Sequence, residues 1–590
     1  MLIQALAEYA DTRLQEQLED LAFEEKPVQF FLELGSDGTF LGIIERTEEV
    51  QRGKKKVKQI QTLLVPKTPV NRNTGLHPLL TCDDIKYVVG KGEWTEPKQE
   101  KNHEERHQAF VEFLREAAAA TSDDALQSCA LFYGRSDQVE AARKDLAEKK
   151  AEAGSAVALS VGGPVVSREA VREYWRGHYK QASATRNEAG GEGMCIISGK
   201  IGPVAPTHEK IKGVASLGGQ PAGVALMSFD KDAFCSYGWE KNANSPVSPE
   251  RAAAYVLALN DLLKGGSKSC VKHCGVGFLF WTKKPVGDAD DPVGLLENAD
   301  PEQVRRLFLL DQGALRLEAN EFYLVGVSGN GGRLLVRYWL HESLETVLRN
   351  VSGWFRGLGI VDPFTGEAAK APALWQLLKT LAREGAEPPA DRAMQLIRRA
   401  IHGVPLGRTI LSAALGRRRV AKKKETLSTA RAGLIRLCVN DQREGAQMSE
   451  VLDTNLKHPA YLCGRLLALY DGLQYAAQGE VNSSVSDRYY LLASTYPALA
   501  FPKLADLELR HLKKLRRDKP GAAVIIEREI QEIYTGLAGG DAKFPAPFNL
   551  EDQGRFAIGY HHQRAEGIAR AMARKQEKKD RESREDKGNE

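Results

Sequence analysis

Residues 322–339, FYLVGVSGNGGRLLVRYW, decide how this chain is read. Two apolar, β-branched and aromatic runs flank Gly329, Asn330, Gly331 and Gly332, a combination that predicts an antiparallel hairpin. From about residue 342 onward helical periodicity takes over, as in LWQLLKTLAREG and RAGLIRLCVN. The expected fold is therefore α+β, a mixed α/β N-terminal domain followed by a C-terminal helical bundle. The expected boundaries are residues 1–345 for the α/β domain, 346–450 for a helical connecting region and 451–572 for the bundle. Residues 573–590, ARKQEKKDRESREDKGNE, carry mixed charge and almost no apolar surface, which predicts a disordered tail.

Working back from the hairpin, Leu2, Ile3, Leu6, Tyr9 and Leu14 recur at near-helical spacing. QFFLELGSDGTFLGIIE then reads as a first hairpin about Ser36, Asp37 and Gly38. A basic patch of Arg52, Lys54, Lys55, Lys56 and Lys58 is expected to feed a loop that ends in VNRNTG. Residues 103–153 read as polar helices, and 154–165 as a Gly/Ala/Ser/Val connector. Between 194 and 260 short β-like segments are broken by glycine before the helix AAAYVLALNDLLK.

Across 590 residues, 82 Lys and Arg face 78 Asp and Glu, so an electrostatic case for an anionic partner rests on local patches rather than on net charge. Eight scattered cysteines make no disulfide framework and read as reduced thiols. The N-terminus lacks the pattern of a signal peptide, and no run is long and apolar enough for a membrane span, which gives a cytoplasmic expectation with no membrane partner. No Walker A loop, dinucleotide fingerprint or nucleophile elbow occurs, so NTPase, dehydrogenase and hydrolase readings have no seed.

The string HEERH at 103–107 matches H-E-x-x-H, which would set His103 and His107 one helical turn apart for zinc with Glu104 as general base. Its flank is fully polar and no third-ligand motif follows, so a zinc hydrolase is the rival reading rather than the favoured one. Cys270, His273 and Cys274 offer soft ligands without the second pair a structural zinc site needs, and read instead as a turn entering GVGFLFW. No metal site and no cofactor are expected.

Residues 194–248 combine permissive glycines with His208, Lys210, Lys212, Gln220, Ser236, Tyr237, Asn242 and Asn244. Lysine contacts phosphate, Asn and Gln pair with base edges, and glycine lets the main chain approach a groove. Two further basic clusters follow, Arg417–Arg419 with Lys422–Lys424, and LRHLKKLRRDKP. In the second, Arg510, Lys513, Lys514 and Arg517 share one helix face and would form a stripe along a phosphate backbone.

The segments KIKGV, GGQPAGVALMSF, AFCSYGWEKNANSPVS and AAAYVLALNDLL strongly resemble the large subunit of the type I-C CRISPR interference complex, Cascade. MLIQALAEYA, LLVPKTPVNRNTG, DDIKYVVG, the hairpin at 322–339, HPAYLCGRLLALYDGLQ, DRYYLLAS and FAIGYHHQRAEG agree in order, so the resemblance covers essentially the whole chain. It implies a subunit without catalysis of its own that reads the short PAM on double-stranded DNA, promotes duplex opening and R-loop formation, and helps recruit the helicase-nuclease. It further implies as partners crRNA held through the complex, the Cascade backbone subunits and the subunit that binds the crRNA 5′ end. A small subunit made by internal translation from about residue 450 is also implied, with Met448 as one candidate start. The PAM-contacting residues expected are Asn71, Arg72, Asn73 and Thr74 from the first loop, and Lys210, Lys212, Gln220, Ser236, Tyr237, Asn242 and Asn244 from the second region. Lys513, Lys514 and Arg517 are expected to hold a DNA strand by its backbone.

Overall fold

The order of elements along the chain follows from two changes of periodicity, and the computed structural model shows both. It describes residues 1–588 apart from 53–54, 69–71, 73–74, 189, 230, 286–290, 304–319, 383–385, 417–426, 443–444, 446, 539–543 and 546. The chain divides into two compact units, Met1–Lys212 with Ala222–Asp261, and Gly213–Pro221 with Leu262–Glu590. The fold class is α+β.

The first unit opens with α1 (Leu2–Arg13) and α2 (Gln15–Glu19), then six strands. These are β1 (Phe23–Pro27), β2 (Phe30–Leu34), β3 (Phe40–Glu45), β4 (Thr47–Arg52), β5 (Lys55–Ile60) and β6 (Thr62–Pro66). The expected hairpin about Gly38 is β2–β3, with Phe31 opposite Ile44. The basic stretch expected to feed a loop is instead the paired hairpin β4–β5, with Glu49 opposite Lys58 and Val50 opposite Val57.

A four-stranded sheet in the order β3-β2-β8-β7 is completed by β7 (Cys82–Asp84) and β8 (Ala156–Ser160). Strand β8 lies in the stretch read as a connector. All five of its residues are buried, and it pairs in parallel with β2, Phe30 opposite Val157. A parallel pair needs a long crossover, which α3 (Ile85–Val88), α4 (Glu100–Thr121), α5 (Asp124–Phe132) and α6 (Ser136–Glu148) supply. Their apolar faces, with Phe110, Leu114, Leu126 and Leu146, cover Phe30, Leu32, Val157 and Leu159 on one side of the sheet. α7 (Glu169–Glu188) adds Val171 and Trp175 to that core, and the Trp175 indole donates to the Ala22 carbonyl at 2.8 Å. The small hairpin β9 (Glu192–Met194) and β10 (Ile201–Pro203) and the helix α8 (Pro249–Leu263) follow.

In the second unit β11 (Cys270–His273), β12 (Val276–Thr282), β13 (Glu321–Asn330) and β14 (Arg333–Ser343) form an antiparallel sheet in sequence order. Phe278, Phe280, Phe322, Leu324 and Leu340 of this sheet pack with α9 (Pro292–Asn298) and with the helices Leu344–Leu358, Ala390–His402 and Thr429–Asn440 in one core. The hairpin expected at 322–339 is β13–β14. The segment Gly213–Pro221 lies along its tip, where Gly219 bridges Gly331 and the Gln220 amide donates to the Gly331 carbonyl at 3.0 Å. A Cβ on Gly329 would stand 2.2 Å from the Gly219 nitrogen, so only glycine admits this approach. Gly329→Ala is expected to push that segment off the hairpin and to destabilise the second unit by about 1–3 kcal/mol, read as a lowered unfolding midpoint. An unchanged midpoint would mean the contact is dispensable.

A second core is built from the helices Pro459–Gln478, Val485–Thr495, Pro497–Asp518, Pro520–Leu537 and Leu550–Gly588. The first and last cross at glycine: a Cβ on Gly464 would meet the Phe556 carbonyl oxygen at 2.0 Å, and one on Gly559 the Tyr461 carbonyl oxygen at 2.2 Å. The last helix serves both cores, giving Ala557 and Ile558 to one and Phe556 and Tyr560 to the other. It continues through 573–588, the stretch read from sequence as a disordered tail.

Candidate nucleic-acid interface

Two of the regions singled out in the sequence meet in the first unit. The stretch after β6 supplies Thr68, Leu76, His77 and Pro78 to one wall of a groove of about 760 Å³, and Pro206, Thr207 and Lys241 of the second region supply another. Helices α4 and α7 close it with Phe113, Trp175 and His178, whose rings pack together: His178 stacks on Trp175 at 5.2 Å and lies 4.8 Å from Phe113. Burial lowers the pKa of His178, which favours its neutral form. The lining is mixed in charge, with Glu112 and Glu116 from α4 and the cations Arg186 from α7 and Lys241 from the second region.

The walls are tied together by polar contacts that are partly or fully exposed. Lys67 and Glu209 pair at 2.6 Å. Arg186 donates to the carbonyl and hydroxyl oxygens of Thr207, the latter at 3.0 Å. His208 Nδ1 meets the Tyr255 hydroxyl at 2.6 Å, and burial pushes this imidazole down to about 4, so it is neutral at physiological pH.

The individual candidates fare differently. Asn71, Asn73 and Thr74 lie outside the described residues, as does the basic cluster at 417–424. Arg72 is described, and its guanidinium is bound to buried Asp83, with Nη2 at 2.7 and 2.8 Å from the two carboxylate oxygens, while its charge sits 4.4 Å from the Tyr87 ring centre. Lys210 and Lys212 are exposed, and Lys212 pairs with Glu24 at 2.7 Å. Asn242 is only 1% exposed and its side-chain Nδ2 has no hydrogen-bond partner among the described residues. Asn244 is half-buried and donates to the Lys241 carbonyl at 3.2 Å. Tyr237 stands 95% exposed, with Trp239, which the residue-by-residue reading passed over, 52% exposed beside it. An isolated tryptophan in the polar string SYGWEKN was the available signal. Gln220 belongs to the second unit, at the tip of β13–β14. Nothing is described of the Ser236 side chain.

In the helix Pro497–Asp518, Arg510, Lys513, Lys514 and Arg517 are exposed opposite buried Leu504, Leu512 and Leu515, as the spacing predicts. Arg516, off that stripe, pairs with Glu527.

HEERH sits on α4, where His103 Nδ1 meets the Thr95 hydroxyl at 3.0 Å and His107 Nδ1 meets the Tyr87 carbonyl at 3.0 Å. Cys270 and His273 lie within strand β11 rather than in a turn, and His273 pairs with Glu297 at 2.5 Å. Among the described residues no group of three or more His, Cys, Asp or Glu side chains is placed to hold a metal. Among them, too, no helix is long and apolar enough to cross a membrane.

A search of curated proteins gave no significant match. Residues 6–568 match the sequence profile of the CRISPR-associated protein family Cas_Csd1, which takes in both units and the groove. The ordered agreement of segments along the sequence is thus that of a family member: the chain belongs to the Cas_Csd1 family and is a large subunit of a CRISPR Cascade complex, an assembly in which it works with partner subunits.

Proposed function

We propose that this chain is the non-catalytic large subunit of a type I-C, crRNA-guided Cascade, and that it reads the PAM on double-stranded DNA at the groove of the first unit. What supports the reading is the meeting there of two segments distant in sequence, the one ending at Pro78 and the one around Pro206–Lys241. In such a complex base pairing with crRNA supplies sequence specificity, so the protein needs only a short duplex-reading site beside backbone contacts. Lys241 and Lys210 take phosphate, and Asn244, half-exposed next to the groove, takes a base edge. Reading the PAM starts duplex opening and the R-loop, after which the helicase-nuclease is recruited. The remaining partners are the backbone subunits, the subunit at the crRNA 5′ end and a small subunit made from the C-terminal region, all in the prokaryotic cytoplasm.

Asn244→Ala in the assembled complex is expected to weaken binding to PAM-bearing duplex by about 1–3 kcal/mol, the worth of one base contact. Binding to a target opened beforehand should hardly change, because readout matters only before guide pairing takes over. Gel-shift titrations on the two substrates make the comparison, and equal losses on both would remove Asn244 from PAM readout. Asn242 is a poor probe for this purpose, since its burial makes any substitution a change to the loop itself.

A further inference from the structure

The segment between Lys231 and Asn242 is tied down at its C-terminal end, yet it holds two large aromatic rings in solvent. Near its start the Cys235 backbone N–H closes a local turn on the Asp232 carbonyl at 3.0 Å, and at its end buried Asn242 donates its backbone N–H to the Pro206 carbonyl at 3.4 Å. Between them Tyr237 adopts φ 61° and ψ 20°, the left-handed region that a bulky residue occupies only when its surroundings impose it. Gly238 and Lys241 also have positive φ. The outcome is a tyrosine 95% exposed and a tryptophan 52% exposed, ring centres 6.3 Å apart and planes at 54°. Neither ring hydrogen-bonds to a described residue. Strain spent on keeping an apolar ring out of the core is a sign of use, not of packing.

We infer that Tyr237 and Trp239 form a stacking platform for an unpaired nucleobase. The inference rests on the reading of the groove as a duplex-binding site and adds to it a capture site for a base released when the duplex opens. Three features favour a base over an apolar protein anchor. Within the segment Lys231–Asn242 the described residues expose no other large apolar side chain, whereas a protein hot spot sits within an apolar patch. Exposed Lys231 and Lys241 on either side can meet phosphates, and exposed Asp232 and Glu240 next to them cancel their net charge, so stacking rather than charge carries the contact. The two rings present tilted π-faces, which every base can cover without regard to sequence, and a paired base offers no such face because its own neighbours cover it.

The test uses the full-length chain and three probes: oligothymidylate, oligouridylate and a blunt duplex carrying the PAM. Quenching of tryptophan fluorescence reports stacking, and anisotropy of a labelled oligonucleotide reports affinity. Trp239→Ala is expected to abolish most of the quenching and to weaken single-strand binding about 5- to 100-fold, with Tyr237→Ala alike and Tyr237→Phe close to the parent. The ratio of single-strand to duplex affinity should fall. A stronger effect on oligothymidylate than on oligouridylate assigns the base to DNA, and the reverse assigns it to RNA. Unchanged single-strand affinity, or an equal loss on duplex, overturns the platform, as does loss of a co-purifying protein subunit with nucleic-acid binding intact. If the parent chain binds single strands through these rings but shows no PAM preference, it is the groove reading that fails and not the platform.

Discussion

Arg72→Ala is expected to destabilise the first unit by about 3–5 kcal/mol, because it strands a carboxylate that is fully buried. Asp83 has no exposed side-chain surface and accepts from Arg72 and from the amides of Leu79 and Asp84 at 2.7–2.8 Å. Burial pushes its carboxyl up to about 6, helped by the neighbouring Asp84 charge, while the Arg72 guanidinium and the Leu79 amide pull the other way. An acid whose folded pKa lies above its unfolded value of about 3.9 holds its proton more readily when folded, so its contribution to stability is present at low pH and is lost as pH rises through the folded pKa. Without Arg72 that pKa rises further, and the loss extends to higher pH. The variant's deficit should therefore be small near pH 5 and grow by about 1.4 kcal/mol per pH unit above pH 6, reaching at most about 2.7 kcal/mol at pH 8 and its full size only above that. Adding Asp83→Asn should recover part of it by removing the stranded charge. Denaturation midpoints at the two pH values provide the check, and a deficit independent of pH would mean the ion pair is not what stabilises β7.

The second large effect concerns salt. Lys513, Lys514 and Arg517 lie on one exposed face of the helix Pro497–Asp518 and have no means of fixing base identity, so charge removal should weaken all targets alike. If each neutralises one phosphate, the triple Ala variant should flatten the slope of log K against log salt by about 2–3 units. Arg517 already meets Asp518 at 2.9 Å, which places the result toward the lower end. Affinities at several salt concentrations for two PAM sequences settle the matter. An unchanged slope would make the stripe an ordinary solvated face, and a changed PAM ratio would move readout into this helix.

What was legible in the sequence was what periodicity and turn chemistry carry. The hairpins about Gly38 and Gly331, the helix after Pro249 and the helical half all show strong local patterns. Strand β8 does not, because AVALS is rich in small residues with weak strand preference and is a strand only by virtue of the layers that bury it. The β4–β5 hairpin was concealed by its lysines, which read as a solvated run although Val50 and Val57 sit opposite each other. Within the candidate site the residue types were visible but not their destinations. Nothing in VNRNTG tells that Arg72 would turn inward to Asp83, and nothing in KNANSP tells which asparagine is buried. Those outcomes depend on tertiary neighbours that one-dimensional spacing does not encode.

The last helix, Leu550–Gly588, has a consequence for any polypeptide begun near Met448. In the full chain Met448 is 1% exposed, its amide bonds to Asn440 and its carbonyl accepts from Arg436 and Asn440, all upstream of such a start. A Cβ on Gly554 would touch Val439 at 2.6 Å, and Ile558 shares a core with Ile435 and Leu411. A shortened product keeps the glycine crossing at Gly464 and Gly559 but sheds the partners of this other flank, uncovering an apolar seam along Gly554, Ala557 and Ile558. The same stretch of helix would thus present a sealed flank when continuous with the upstream helices and an open apolar one in a fragment lacking them.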